Sequence, residues 1–310
     1  MPEHRIAVMG SFVADLAFRT GTLPAWGHTV FGSDFLLGPG GKGSNQAVAA
    51  ARLGGRVSFI SKLGRDAFAD IARRTWTAEH IDARFVCETG DRGTGAAAII
   101  VDDATGDNAI VVVPGAGLEL TAAEVDQARK AIASAAVFLT QLESPLDAVH
   151  HALRLARELG VPTILNPAPA VPLPDAVYPL CDYLTPNESE AATLTGAGVA
   201  SAADAERAAA TLLTRGAGAV IVTLGANGAL VKTASLTKHV PACDAGPVVE
   251  TTGAGDAFNG GLAVALAEGL DIVAAARFGC AVAGISVTRR GTAPAMPHRA
   301  EVDALLRRTA

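Results

Sequence analysis

Along most of the chain, short runs of consecutive apolar, often β-branched residues alternate with longer stretches where alanine and leucine recur at helical spacing. The short runs predict strands over 5–10, 57–62, 136–141, 162–165 and 218–224. The longer stretches predict helices over 44–53, 66–79, 121–133, 145–159, 202–214, 254–268 and 271–284. Runs such as AVIV at 219–222 show no polar alternation, which suits parallel strands buried on both faces. The rhythm predicts a layered α/β domain. Two regions, 12–39 and 92–113, break it. There His28–Phe31, Ala97–Val101 and Ala109–Val113 read as consecutive strands, the last two joined by a turn at Thr105 and Gly106. These regions predict a small β-appendage on one edge of the large domain. With no internal repeat, low-complexity tract or long linker, a single domain over 1–310 is expected.

Composition narrows the class. Of 310 residues, 50% are apolar and 18% charged, ample for one large core. A net charge of −6 without any basic run argues against a nucleic-acid surface. Cys87, Cys181, Cys243 and Cys280 lack C-x-x-C spacing, so neither a disulfide framework nor a zinc site is implied, and a reducing compartment fits. Neither a signal-peptide pattern nor a membrane-length apolar run is present, so a cytoplasmic protein is expected.

The most informative segment is TTGAGDAFNGG at 251–261, between an extended stretch and a helical pattern through Leu262, Val264 and Leu266. Gly253 and Gly255 let the backbone approach a ligand, and the amides at such a helix start favour an anion. Asp256 adds a carboxylate in the same turn, able to take a proton. Donors for a developing phosphate charge beside a base for a hydroxyl are what phosphoryl transfer needs. The plainer alternative is a glycine-rich helix start that Asp256 merely caps.

A second dense segment, GPGGKGSNQ at 38–46, precedes the helix through Ala47 and Leu53. As a Walker A loop it fails, since Gly43 follows Lys42 and Leu36 stands where the first glycine belongs. As a dinucleotide fingerprint it matches formally through Gly38, Gly40 and Gly43. It follows the second extended run rather than the first, however, and no strand ends in a suitably spaced acidic residue. As a polyol site, Gly40 and Gly41 let the backbone close in while Lys42 and Asn45 supply donors and an acceptor. The loop can also be simply solvated, with Ser44 or Asn45 capping the helix. Further polar residues fall where strands are expected to end, which is where α/β sheets bind ligands: Asp15, Glu143, Asn187 with Glu190, and Thr223–Gly228.

With both glycine-rich segments in this order, GGKGSNQA at 40–47 and TTGAGDAFNGG at 251–261, the chain resembles the ribokinase branch of the PfkB carbohydrate kinase family from Arg5 to about Pro297. The resemblance implies an ATP-dependent sugar kinase with a ribokinase-like (Rossmann-like) three-layer α/β/α core. It also implies a β-lid over the sugar and a homodimer paired through the lids. Asp256 would be the general base, and Gly253, Ala254 and Gly255 the anion hole. Asp15, Gly41, Lys42, Asn45 and Glu143 would hold the sugar. Asn187, Thr223, Gly225, Gly228, Gly255 and Cys280 would line the nucleotide site, although Cys280 reads better as a small buried residue. Glu190 would organise Mg²⁺ and the phosphates. Glu250, Thr252, Ser286, Arg289, Gly291 and Ala295 would form a monovalent-cation (K⁺) site, partly through carbonyls. A nucleoside kinase of the same fold, or a non-catalytic sugar- or nucleotide-sensing module, remain as alternatives.

The chain departs from the family pattern at three positions. Val13 stands where ribokinases usually place Asn, which points toward an acceptor other than ribose. Glu250 replaces the usual Asp, and Ala295 stands where a side-chain hydroxyl often completes the cation shell.

Overall fold

The computed structural model describes residues 4–309. In chain order the strands are β1 (Arg5–Met9), β2 (Val13–Thr20), β3 (Asp34–Gly40), β4 (Arg56–Gly64), β5 (Asp82–Thr89), β6 (Thr94–Asp102), β7 (Asn108–Gly115), β8 (Val137–Thr140), β9 (Thr163–Leu165), β10 (Tyr183–Leu184), β11 (Ala219–Thr223), β12 (Ala229–Lys232) and β13 (Thr237–Val240). The helices are α1 (Lys42–Arg52), α2 (Ala67–Ala78), α3 (Ala122–Gln127), α4 (Arg129–Ala133), α5 (Leu146–Glu158), α6 (Glu188–Thr195), α7 (Ala202–Thr214), α8 (Ala254–Ala267), α9 (Ile272–Ser286) and α10 (Arg299–Arg308).

Nine strands form one sheet in the order β13-β12-β11-β10-β9-β8-β1-β4-β5, its pairings parallel except that β12 pairs antiparallel with both β11 and β13 at one end. Alternate side chains of its buried strands enter opposite layers, as a pleated strand requires. Ile6 and Val8 join a core with residues of α1, α2, α8, α9 and α10, while Ala7 and Met9 join a second core with α5 and α7. Both faces are covered, which is why these strands carry unbroken apolar runs. A separate four-stranded sheet, β3-β2-β6-β7, projects beside this core, with β6 and β7 joined by a hairpin whose turn places Gly106 at φ +76°.

Several expectations need correction. His28–Phe31 is not a strand; the strand lies at Asp34–Gly40 instead. Pairing between β2 and β3 begins at Arg19 opposite Asp34, so residues 21–33 have no strand opposite them and cross as irregular chain. The helix expected over 121–133 breaks at Ala128, whose amide bonds back to Val125 in a tightened turn. The edge strands β5 and β13, the adjoining β12, the two-residue β10, and helices α6 and α10 are additional to the predicted set. No described helix is long and apolar enough to cross a membrane.

Candidate active site

Strand order fixes where the site lies. From β1 the chain returns to the sheet on one side as β4 and later on the other as β8, so a crevice opens at the carboxyl ends of β1 and β8. Ser11, just past β1, donates to Glu143, just past β8, across this crevice. The backbone amide of Lys42 donates to the same Glu143 oxygen at 2.9 Å.

The segment at 38–46 enters this crevice because of Gly41. It sits at φ +87°, and a Cβ there would lie 2.6 Å from the backbone nitrogen of Val13. Gly41 is also the N-cap of α1, without any side-chain cap, so the reading in which Ser44 or Asn45 caps the helix does not hold. Ser44 instead accepts from the indole of Trp76 at 2.9 Å. Asn45 and Gln46 project toward α8, and the two glycine-rich segments meet at one carboxylate. Asn45 Nδ2 donates to Asp256 Oδ2, and Gln46 Nε2 to Asp256 Oδ1, each at 2.9 Å.

Asp256 is not a cap either. α8 begins after Gly253, left-handed at φ +83°, and no side chain caps it. No side chain takes up its first-turn amides, although the Ala254 amide bonds back to the Thr251 carbonyl at 3.2 Å, so the start of the helix still favours an anion. Asp256 itself is 6% exposed. Burial pushes its carboxyl up, opposed by the charge of Lys42 and by the bonds from Asn45 and Gln46. Burial likewise raises Glu143 and Glu190, each opposed by Lys42 and by hydrogen bonds. Lys42 loses hydration too, but Asp256, Glu143 and Glu190 outweigh that and hold its ammonium charged.

Asp15 projects from β2 into a cavity of about 230 Å³ between the four-stranded sheet and the segments carrying Glu250, Thr252 and Thr292. The Thr292 hydroxyl lies 3.2 Å from Asp15 Oδ2. Burial raises the Asp15 pKa from 3.8 to about 6; the Thr292 bond opposes this, and the charges of Glu143, Asp256 and Glu250 add to it.

On the other side of α8, Asn187 and Glu190 form a reciprocal capping box at the start of α6. The Asn187 amide donates to one Glu190 oxygen at 2.9 Å and its Nδ2 to the other at 3.1 Å. Thr223 ends β11 and its amide bonds to Pro186 at 2.9 Å, which brings the Thr223–Gly228 loop beside that box. Between this loop and the segment at 239–242 lies an open groove of about 680 Å³. Cys280 is buried on α9 as part of the core, its thiol pushed up to about 12 chiefly by burial.

Among the expected cation residues, Glu250, Thr252 and Gly291 line one cavity, and the Gly291 amide donates to Glu250 Oε2 at 3.0 Å. The side chains of Ser286 and Arg289 are engaged elsewhere, with the Ala283 carbonyl and with Glu301, and Ala295 is buried. Among the described residues no group of three or more His, Cys, Asp or Glu is placed to hold a metal ion. Sequence reasoning passed over Ser11, Gln46, Gln141, Asn166, Thr185, Asn259 and Thr292. Of these, Gln46 and Asn259 lie inside the two segments already singled out.

A shielded carboxylate facing uncapped helix amides can accept a hydroxyl proton while the amides receive phosphate charge, so the cleft is built for phosphoryl transfer to an alcohol. That is sugar-kinase chemistry. The chain belongs to the pfkB family of carbohydrate kinases, whose family model matches residues 3–299. It is 39% identical over 302 residues to a ribokinase of Mus musculus, covering 96% of this chain and 93% of that protein. It is 37% identical over 293 residues to a deoxyribokinase of Salmonella typhi, covering 94% and 95%. The solved structure of an Arabidopsis thaliana ribokinase complexed with ribose and ATP superposes with a TM-score of 0.91 at 29% identity, covering 99% of each chain. The fold is therefore ribokinase-like, and the chain is a phosphotransferase with an alcohol acceptor.

Proposed function

We propose that the chain transfers the γ-phosphate of ATP to a primary hydroxyl of ribose or a closely related pentose, with Asp256 as general base. The observation that carries this is the convergence of Asn45, Gln46 and the uncapped start of α8 on one buried carboxylate. In this reading the sugar lies between Asp15, Gly41, Lys42, Asn45 and Glu143. Asn45 Oδ1 is buried without a protein partner, which leaves it free to accept from a sugar hydroxyl. Asp256 takes the proton as the hydroxyl oxygen attacks in line, and the amides at Gly253, Ala254 and Gly255 receive the spread negative charge. The four-stranded sheet, acting as a lid, keeps water from competing as acceptor.

ATP would lie along Asn187, Thr223, Gly225 and Gly228, with Cys280 behind the base. Mg²⁺, which accompanies ATP, would neutralise phosphate charge. Both Glu190 oxygens already accept from Asn187, which fits contact with the metal through water rather than direct ligation. A monovalent cation would sit by Glu250, Thr252 and backbone carbonyls near Gly291. The lid exposes Phe18, Phe35, Val111 and Val113 on one face and Leu36, Ile110 and Val112 on the other. Apolar surface of this kind supports pairing of two copies through their lids.

The test is ADP release measured against a panel of pentoses, deoxypentoses, hexoses and nucleosides, in wild type and in Asp256→Asn. A positioned base contributes about 10²–10⁴-fold. Turnover on the preferred pentose should fall by that order while ATP binding persists. Near-normal turnover in the variant would overturn the assignment of the base. A preference for nucleosides would replace the substrate, and no turnover on any acceptor would leave a sensing module.

A further inference from the structure

We infer that Gln46 is a positioning residue for the base, held in one amide orientation by Asn166 and Gln141 so that its Nε2 faces Asp256. The inference rests on Asp256 being the base, as proposed above, and adds the device that aims it.

The geometry is a closed circuit. Gln46 Nε2 donates to Asp256 Oδ1 at 2.9 Å and lies 3.1 Å from Asn166 Oδ1. Gln141 Nε2 donates to Gln46 Oε1 at 2.6 Å. Asn166 Nδ2 then donates to the Thr185 carbonyl at 3.1 Å, the Thr185 hydroxyl to Asn259 Oδ1 at 2.6 Å, and Asn259 Nδ2 to the Gly255 carbonyl at 2.8 Å. One branch from Gln46 thus holds the carboxylate of Asp256, and the other ends on the backbone one residue before it. Gln46, Gln141, Asn166, Thr185 and Asn259 are all buried.

Reversing the Gln46 amide would put Oε1 against Asp256 and Asn166, two acceptors, and Nε2 against the Gln141 donor. All three bonds would be lost at once, and Asn166 cannot reverse to compensate because its Nδ2 is committed to the Thr185 carbonyl; Gln141, whose Oε1 has no partner, adds the third bond. Helix packing allows the reach: a Cβ at Gly260 would lie 2.8 Å from the Gln46 carbonyl oxygen, so α1 and α8 touch backbone to backbone. Asn45 donates to the other oxygen of Asp256, but it lies in the sugar site; Gln46 is one residue deeper in α1. Its contribution is therefore separable from substrate binding.

The charged groups around Asp256 are Lys42 on α1, Glu143 after β8, Glu190 on α6 and Asp15 on β2. None of them changes in Gln46→Met, which keeps the side-chain length and removes the donor. With one of two charge-assisted bonds gone, the acid limb of the kcat/KM profile should move up by about one to two pH units. On the acid side of the limb the rate should fall about tenfold or more, recovering toward wild type as pH rises, while the KM values for sugar and ATP change less than about threefold. Loss of folded protein would instead lower the rate by one factor at every pH.

Gln141→Met removes one of the groups that orient Gln46 and leaves its bond to Asp256, and should shift the limb in the same direction by a smaller amount. It also serves if Gln46→Met does not fold. If Asp256→Asn abolishes turnover while the acid limb of the folded glutamine variant stays where it is in wild type, the positioning inference is wrong and the base assignment stands. If Asp256→Asn itself turns over normally, the base assignment fails first.

Discussion

Asp15 offers a test in which folding and sugar binding pull in opposite directions. In the protein without substrate its carboxylate has Thr292 as its hydrogen-bond donor, while burial and three neighbouring carboxylates lift its pKa from 3.8 to about 6. At about 1.4 kcal/mol per unit this rise amounts to about 3 kcal/mol. Asp15 is only half-buried, so solvent screening leaves a working range of about 1–3 kcal/mol. The sign follows from linkage. Above about 6 the residue is ionised in both states and the folded protein bears the full cost. As pH falls from about 6 to 3.8 the folded state takes up a proton before the unfolded state does, and the cost disappears. Asp15→Asn removes the charge and keeps the shape. At pH 7 its midpoint of thermal unfolding should rise by about 1.5–5 °C, and the gain should vanish near pH 4. Sugar KM should rise at least tenfold in the variant, and in wild type it should climb as pH drops through about 6. Thermal melts at both pH values, paired with sugar titrations, decide it. A variant no more stable than wild type at pH 7 would show that Asp15 is not under the electrostatic load described.

Two further predictions concern specificity and cations. Val13 lies on the same face of β2 as Asp15 and is buried, so it cannot pair with a hydroxyl pressed against it. A deoxypentose should therefore give higher kcat/KM than ribose, and Val13→Asn should move the ratio toward ribose about tenfold, the factor that about 1.4 kcal/mol represents; a wild-type preference for ribose over 2-deoxyribose would refute this. Exchanging Na⁺ for K⁺ at constant ionic strength should change the rate, because a cation beside Glu250 and Gly291 would steady the loop leading to α8; identical rates in both salts at limiting and saturating ATP would exclude that site.

The parts of the fold legible from sequence are those whose signal is local. Strands buried on both faces advertise themselves as unbroken apolar runs, and β1, β4, β8, β9 and β11 each fall within two residues of their expected bounds. β5 mixes charged and apolar residues because it is a sheet edge, half exposed, and so carries no such run. β10 has two residues and exists only because β9 and β11 lie on either side of it. The misplacement at His28–Phe31 has the same origin. Its apolar residues resemble a strand, but strand formation depends on a neighbour, and the ladder offered by β2 stops short of them.

At the site the division runs differently. Asp256, Lys42 and Asn45 were legible because glycine-rich loops and helix starts announce anion and polyol chemistry within a few residues. What those residues do to one another was not. The capping alternatives at Ser44, Asn45 and Asp256 fail because glycines 41 and 253 take the cap positions, and the side chains then find partners outside their own segments: Ser44 meets Trp76, while α1 and α8 are so close at Gly260 that Asn45 and Gln46 meet Asp256. At Asn187 and Glu190 the capping reading does hold, and there it serves the site, since the box that starts α6 fixes the Glu190 carboxylate within electrostatic reach of Lys42. Gln141, Asn166 and Thr185 carry no motif at all. Each is a single polar residue following a strand, and what makes them one network is that β8, β9 and β10 are successive neighbours in the sheet. The order of strands, which no local pattern encodes, turns three unremarkable side chains into one network that reaches the carboxylate of Asp256 through Gln46.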